Sequence, residues 1–432
     1  MRERELPTTL RFMLAARRSE LLGLEDLAQT CELVTRLSRL VHALQKERGY
    51  SNIYLSGNAP HHRAQLDVLS LEVDAALREV REGFARIDLD AIGGPDKTRL
   101  FTRIAYALHG LDELPALRRR IREHRLSMHE ATASLIRLIG SLLAVVFEAA
   151  DTAADPETTR SLVALFNFMQ GKELAGQERA IGVAGFAGGH FEPDKLERLE
   201  QLWEAQERCF ATFCRFAGPD ALALWQALLE SEAGSQACRM REVARRAGPD
   251  NSFSADLCEL WFELHTRRMD AMKHVETRLE QDLLQRCGES IGRIRKDLLS
   301  HRKLLDGLAD MHAAAEQARL FSVQASDLDA PPADGMTSMV ARSTLELLQN
   351  QTQRMQVLRD ELDDARRALD ERKQVERAKQ TLMRDRQLSE SEAYAALRKT
   401  AMDQGLSIED VARRLLALSE QHEALIRPRA RH

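Results

Sequence analysis

Between residues 25 and 320, apolar side chains return every three or four positions and polar ones fill the gaps. That spacing predicts helices with one buried face. Gly, Pro and Asn interrupt it at Gly57–Pro60, Gly93–Pro95, Asp155–Pro156, Gly188–Pro193, Gly218–Pro219 and Gly248–Asn251. These residue types stop helices and open turns. The intervals between breaks suit antiparallel helical bundles with short connections. The clearest linker is Pro331–Pro332, inside Ser326–Ser338, which separates this large region from a second helical one.

Past the linker, Leu348, Met355, Leu362 and Leu369 recur every seven positions, with Leu358 and Ala365 three residues after two of them. Such an a/d seam predicts a coiled coil and a homodimer. Over so few heptads, one amphipathic helix packed inside its own chain would give the same pattern.

The large region also carries an internal duplication. LQKERGYSNIYLSG at 44–57 parallels GQERAIGVAGFAGG at 176–189, each with Glu-Arg, a small residue, a glycine-ended turn and then an amphipathic helix. More loosely, 126–150 parallels 253–276. Two related helical bundles are the simplest account.

Two arginines fall where this pattern calls for apolar side chains. Arg48 shares a stripe with Leu37, Val41, Leu44 and Leu55; Arg179 shares one with Leu165, Phe168, Ala175, Gly176, Val183 and Phe186, a stripe that also admits Lys172. Burying a guanidinium without a partner is costly. An anion held between the two would remove the penalty, since the planar fork of arginine donates paired hydrogen bonds to planar oxyanions. Gly49, Ala180 and Gly182 would permit close approach. A buried arginine–glutamate pair, with Glu47, Glu173 or Glu178 supplying the charge, is the default explanation of such a pattern, and both readings stay open.

Three helices are legible at 372–418. The first runs on to about Arg386; Ser389 with Glu392 forms a capping box for the second, which Gly405 ends; Ser407 and Asp410 open the third, to end near Leu418. Leu382, Ala393, Leu397, Ala401, Ile408, Val411, Ala412 and Leu415 form its expected core. The segment is nearly neutral, but its cations cluster at Arg377 and Lys379, Arg384 and Arg386, Arg398 and Lys399, and Arg413 and Arg414. These could bridge phosphates of a folded RNA while Tyr394 stacks on a base. A solvated charged face with Tyr394 in the core, or a DNA-reading helix-turn-helix, would produce the same composition.

Composition narrows the choice of class. The chain of 432 residues has room for two to four domains. Aromatics make up only 5%, which disfavours sheet, and a net charge of −5 argues against a general cationic coat, so any nucleic-acid contact must be local. The six cysteines lack C-x-x-C or zinc-finger spacing and read as free thiols of a reducing cytoplasm. Neither a signal peptide nor a run of about 18 uncharged apolar residues occurs; Leu138–Ala150 is too short to span a bilayer. A soluble cytoplasmic protein without a membrane partner is expected. His61–His62 has no further spaced ligands and predicts no metal site. With no P-loop, dinucleotide fingerprint or nucleophile elbow, the chain is expected to be no enzyme and to need no cofactor.

Residues 33–55 (LVTRLSRLVHALQKERGYSNIYL) with 170–186 (QGKELAGQERAIGVAGF) resemble the paired signatures of the NIT domain, a nitrate- and nitrite-sensing module, over roughly 20–290. That resemblance implies an all-α fold of two stacked four-helix bundles, with Arg48 of the E-R-G motif and Arg179 of the K-E-x-x-G-x-E-R-A motif as ligand arginines. It also implies a third arginine from a later helix, for which Arg239 and Arg241 are the best candidates and Arg267 a weaker one; Tyr50 and Ser51 could line the pocket. The string E-R-A-K-x-x-L-M, L-S-E-x-E-A-Y-x-x-L-R-x-x-A-M and V-A-x-x-L-L is similar to ANTAR domains, which bind paired hairpins in nascent leader RNA and prevent terminator formation. By motif match, Arg377, Lys379, Tyr394, Arg398 and Lys399 are the RNA-contact candidates.

The expected organisation is therefore a sensor at 20–290, a helical connector and linker at 291–342, a coiled coil at 343–371, an ANTAR module at 372–418 and a tail at 419–432. The order of the two resemblances implies a one-component regulator in which nitrate or nitrite frees the RNA face. Leader mRNA hairpins would be its partner, RNA polymerase would be affected only indirectly, and a nitrate-assimilation operon would be read through. A helical sensor for another anion or signal, controlling a protein partner or DNA, is the rival reading.

Overall fold

The computed structural model describes residues 8–56, 60–87, 95–246, 256–322 and 336–426. Every regular element among them is a helix. Four helices form the first bundle: α1 (Thr8–Ser56), α2 (Pro60–Ala85), α3 (Pro95–Asp112) and, after the short α4 (Leu114–Arg122), α5 (Met128–Thr152). The second is built from α6 (Pro156–Ala187), α7 (Pro193–Phe216), α8 (Pro219–Glu230), α9 (Glu232–Arg245) and the long α10 (Asp256–Ser322). Helices α1, α6 and α10 pack on one another where the bundles meet.

Local chemistry sets these boundaries. Ser127 caps α5 in a capping box with Glu130, and Asp155 caps α6 by accepting from Thr158 N at 2.9 Å, with Pro156 in the first turn where its missing N–H costs nothing. Prolines likewise open α7 and α8. The expected breaks at Asp155–Pro156, Gly188–Pro193 and Gly218–Pro219 thus separate helices. Those at 57–59, 93–94 and 248–251, the Pro331–Pro332 linker and the end of the tail from 427 lie outside the described residues, as do the side chains of His61 and His62. Helix α5 is long and apolar enough to cross a bilayer, yet residues such as Leu135, Ile139, Leu142 and Val146 are buried in the first bundle, as in a core helix. All six cysteines are free thiols.

The remaining helices are α11 (Met336–Arg386), α12 (Glu390–Gln404) and α13 (Ile408–Ile426). The Ser389–Glu392 capping box is present, and Gly405 ends α12 at φ 62°, a backbone region open to glycine. Leu382, Ala393, Leu397, Ala401, Val411 and Ala412 form a small separate core with Ala378, which Ile408 and Leu415 join half-buried. Helix α13 passes the expected end at Leu418. In the heptad seam, Ala365 and Leu369 are buried in the core of the sensor region of their own chain, which is the intrachain reading of the pattern. The side chains of Leu348, Met355 and Leu358 lie outside the described residues.

Candidate functional site

Arg48 and Arg179 occupy equivalent places. Each lies eight residues before its helix ends, at Ser56 in α1 and at Ala187 in α6, and each is almost fully buried, at 1% and 3% exposure. Two glycines make this fit possible. A methyl group at Gly49 would collide with Arg179 Nη2, and one at Gly176 would collide with Arg48 Nη2. Each guanidinium therefore lies against a glycine of the other's helix.

The three carboxylates offered by the sequence now separate. Glu47 is held by Arg118 of α4, whose Nε and Nη2 donate to its two oxygens at 2.6 and 2.9 Å. Glu178 takes Arg241 of α9 in the same forked way, at 2.6 and 2.7 Å, and also accepts from Trp203 Nε1 and Gln206 Nε2. Glu173 alone reaches the pocket. It accepts from Arg48 Nη1, from Gln45 Nε2 at 3.0 Å and from Gln177 Nε2 at 3.0 Å. The buried arginine–glutamate pair is therefore real, but it does not exhaust the site. Nε and Nη2 of Arg48 are buried without a hydrogen-bond partner. An unmet buried donor costs about 1–3 kcal/mol. Arg179 donates to Thr266 Oγ1 at 2.8 Å and to the Gln45 carbonyl at 3.0 Å, both neutral. Burial, and then the charge of Arg48 beside it, lowers Arg179 to about 10. One unmet donor edge and a cation with only neutral hydrogen-bond acceptors thus lie side by side in the core, an arrangement suited to a planar monovalent oxyanion.

The later helix that completes this site is α10. It supplies Thr266 and the Phe262 ring, which lies 5.1 Å from the Arg179 guanidinium and edge-on to Tyr50. Tyr50 is half-buried there, while Ser51 is buried and donates to the Glu47 carbonyl. Arg239 is exposed on α9, and Arg267 is exposed and paired with Glu263. Arg241 points to Glu178, so none of the three candidates from later helices is bonded to the Arg48–Glu173 pair. Gln45, Thr266 and Phe262 were missed by sequence reasoning; the only signal was that Gln45 stands three residues before Arg48, and Phe262 and Thr266 four apart. Lys172 is fully buried and paired with Glu276 at 2.7 Å. Burial pushes the Glu276 carboxyl up, but Lys172 and Lys273 hold it down, at about 2.

At the other end, two of the RNA-contact candidates face the sensor. Tyr394 accepts a hydrogen bond from Arg208 of α7, whose guanidinium also lies 5.4 Å from its ring. Arg398 is paired with Glu204 of α7. Tyr394 is therefore neither in the module's core nor open to a base. Lys379 is 8% exposed, between Glu376 and Glu390, each at 2.9 Å. It braces α11 against α12. Arg377 and Lys399 are exposed. Arg372 and Lys373 of α11 cover Phe166 and Phe147 of the sensor.

Comparison with known proteins gives concordant matches. Residues 39–284 match the family described as nitrate and nitrite sensing (NIT), and residues 363–416 match the ANTAR domain. The nitrate regulatory protein of Klebsiella oxytoca is 33% identical over 420 residues, spanning 95% of this chain and 96% of that protein. The solved structure of the NasR transcription antiterminator superposes with a TM-score of 0.59 at 31% identity, over 96% of this chain and all of that one.

Proposed function

Because the chain belongs to the NIT family of nitrate and nitrite sensors and carries an ANTAR domain at its C-terminal end, we propose that an anion seated between Arg48 and Arg179 governs the module's access to leader RNA. The protein is a nitrate-responsive antitermination regulator and not an enzyme. Nitrate or nitrite is its effector, and hairpins of a nascent leader are its target. It acts in the cytoplasm, where nascent transcripts are.

One observation carries the effector reading: the unpartnered Nε–Nη2 edge of Arg48, buried beside an arginine that has no carboxylate. A planar anion would satisfy that edge and offset both charges. The link to RNA rests on the contacts of α7, since Tyr394 and Arg398 cannot meet RNA while they bind Arg208 and Glu204. Bound anion would favour a packing of α1, α6 and α10 in which α7 releases the module. It shifts the balance only so far as it binds that packing more tightly. Two copies of the chain, joined through the part of α11 before Ala365, would present two RNA faces to paired hairpins.

Titration calorimetry with nitrate, nitrite, chloride and sulfate tests the effector, and gel shifts with the leader RNA, with and without nitrate, test the coupling. Nitrate should bind and should strengthen salt-dependent binding to hairpin RNA over matched DNA. Unchanged nitrate binding in both Arg48→Ala and Arg179→Ala would sink the pocket assignment.

A further inference from the structure

The charge of the pocket is itself informative. Two buried guanidiniums and one buried carboxylate leave it one positive charge in excess. Asp270 also acts on Arg179, but it stands exposed on α10, where water screens it. The carboxylate sits to one side. It bonds to Arg48 and to none of the donors of Arg179, and two amides, from Gln45 and Gln177, would still hold it if Arg48 turned away. An incoming anion that engages Arg48 therefore meets a fixed like charge on the same guanidinium.

We propose that Glu173 is a built-in rival of the ligand, an internal anion that sets the affinity of the pocket and restricts it to ligands of single charge. This rests on the reading of Arg48 and Arg179 as the anion site. With Glu173 ionised, a monovalent anion brings the site to neutrality. A divalent anion such as sulfate overshoots, and it feels the repulsion of Glu173 twice. The monovalent ligand takes the free Nε–Nη2 edge while the Glu173 carboxylate stays on Nη1, held there by Gln45 and Gln177, and repels it. Glu173 thus weakens binding and in return rejects the more highly charged competitor, a use of repulsion to gain specificity.

The test is titration calorimetry of the full chain with sodium nitrate and with sodium sulfate at fixed ionic strength. Glu173→Gln keeps the shape and removes the charge. It should bind nitrate about tenfold more tightly and gain about a hundredfold for sulfate, because the energy of a fixed charge scales with that of the ligand. Glu173→Asp keeps the charge and draws it back by one methylene, out of reach of Arg48. It should tighten nitrate by a few-fold (roughly the gain from setting the like charge farther off) and still exclude sulfate. Nitrate affinity unchanged or weaker in Glu173→Gln, or a ratio of nitrate to sulfate equal to that of the parent, overturns the proposal. If the glutamine variant does not fold, Glu173→Asp decides, since unchanged nitrate affinity there is equally fatal. The underlying site reading fails by a different result, namely Arg48→Ala binding nitrate as the parent does.

Discussion

Helix α6 carries two buried glutamates, each beneath arginines, and their surroundings differ. Glu178 lies at the centre of its cluster. Arg241 grips both of its oxygens, Trp203 and Gln206 donate to them, and Arg268 and His265 stand 3.5 and 3.9 Å away. Glu173 lies at the edge of its cluster and touches one arginine, leaving Arg179 to neutral acceptors. Where the internal carboxylate is central, the protein supplies its own anion and the cluster is structural. Where it is displaced to one side, an unmet donor edge and an excess of positive charge remain, which is the basis for proposing an anion from outside. Counting arginines and glutamates would rate the two alike; geometry separates them.

The comparison can be broken most forcefully at Glu178. Glu178→Gln removes the charge that Arg241 and Arg268 share and strands them in a dry core. Removing one partner of a buried ion pair costs about 3–5 kcal/mol. Urea unfolding should show that loss, and nitrate should restore little of it if the cluster is structural. A change within about 0.5 kcal/mol, the range of an ordinary surface substitution, would mean that Glu178 carries less than its contacts imply.

Acid should act next, through His265 of that cluster and through the groups around the Lys172–Glu276 pair. Burial lowers His265 to about 3, against the opposing charge of Glu178, and burial lowers His42 to about 2. Both histidines are therefore neutral in the folded protein. The unfolded chain takes up these protons near 6.5, so between that pH and the folded values it binds more protons than the fold does. Stability is then fully present above about pH 7 and falls as pH drops below 6.5, by up to about 1.4 kcal/mol per pH unit for each histidine. Glu276, held at about 2, adds to the loss below pH 4.5. Denaturant midpoints between pH 8 and 5 should show this slope, and His265→Gln should remove the share of one histidine. A flat profile would mean that the folded protein protonates His265 as readily as the unfolded chain does.

Much of the pocket was legible in the sequence, and the reason is periodicity. Arg48, Arg179 and Lys172 stand on apolar stripes, so their burial could be read before any packing was known. Which glutamate met which arginine could not, because Glu47, Glu173 and Glu178 are all close in sequence to the arginines and are sorted only by α4, α7 and α9 arriving from elsewhere. The pairing of Arg241 with Glu178 was hidden for the same reason. In the ANTAR module, capping residues and core positions are local and emerged correctly, down to Ser389 and Gly405. The contacts of Tyr394 and Arg398 with α7 join residues nearly two hundred positions apart, and nothing in either segment announces the other. The seam of α11 was ambiguous from the start, and Ala365 and Leu369 show that part of it serves the chain's own sensor.

Gly49 gives a smaller test, aimed at the open cluster alone. In Gly49→Ala the new methyl meets the guanidinium of Arg179, which is packed between α1 and α10 and cannot swing away freely. Overpacking of this kind costs about 1–3 kcal/mol, and the displaced arginine should lose nitrate. Gly292 on α10 has open space around it, so Gly292→Ala should instead stabilise the helix by about 0.5–1 kcal/mol. Equal nitrate affinity in Gly49→Ala and the parent would show that Arg179 need not sit where it does.

The smallest expected change in stability is the most discriminating. Arg179→Met replaces a buried cation by an apolar side chain of similar length. The variant forfeits hydrogen bonds to Thr266 and to the Gln45 carbonyl, worth about 1 kcal/mol each to the fold. It also escapes the cost of holding a charge in a dry site without a carboxylate, and it relieves the repulsion from Arg48 that helps bring Arg179 down to about 10. These effects oppose each other, so unfolding free energy should change by less than about 1 kcal/mol, as found when buried charges give way to apolar groups. Arg241→Met, by contrast, takes from the buried Glu178 the arginine that grips both of its oxygens and should cost about 3–5 kcal/mol. Nitrate binding should follow the reverse order, abolished in Arg179→Met and kept by whatever fraction of Arg241→Met remains folded. If Arg179→Met were as destabilising as Arg241→Met, Arg179 would belong with Arg241 as a structural cation, and the open cluster would lose its claim to be a ligand site.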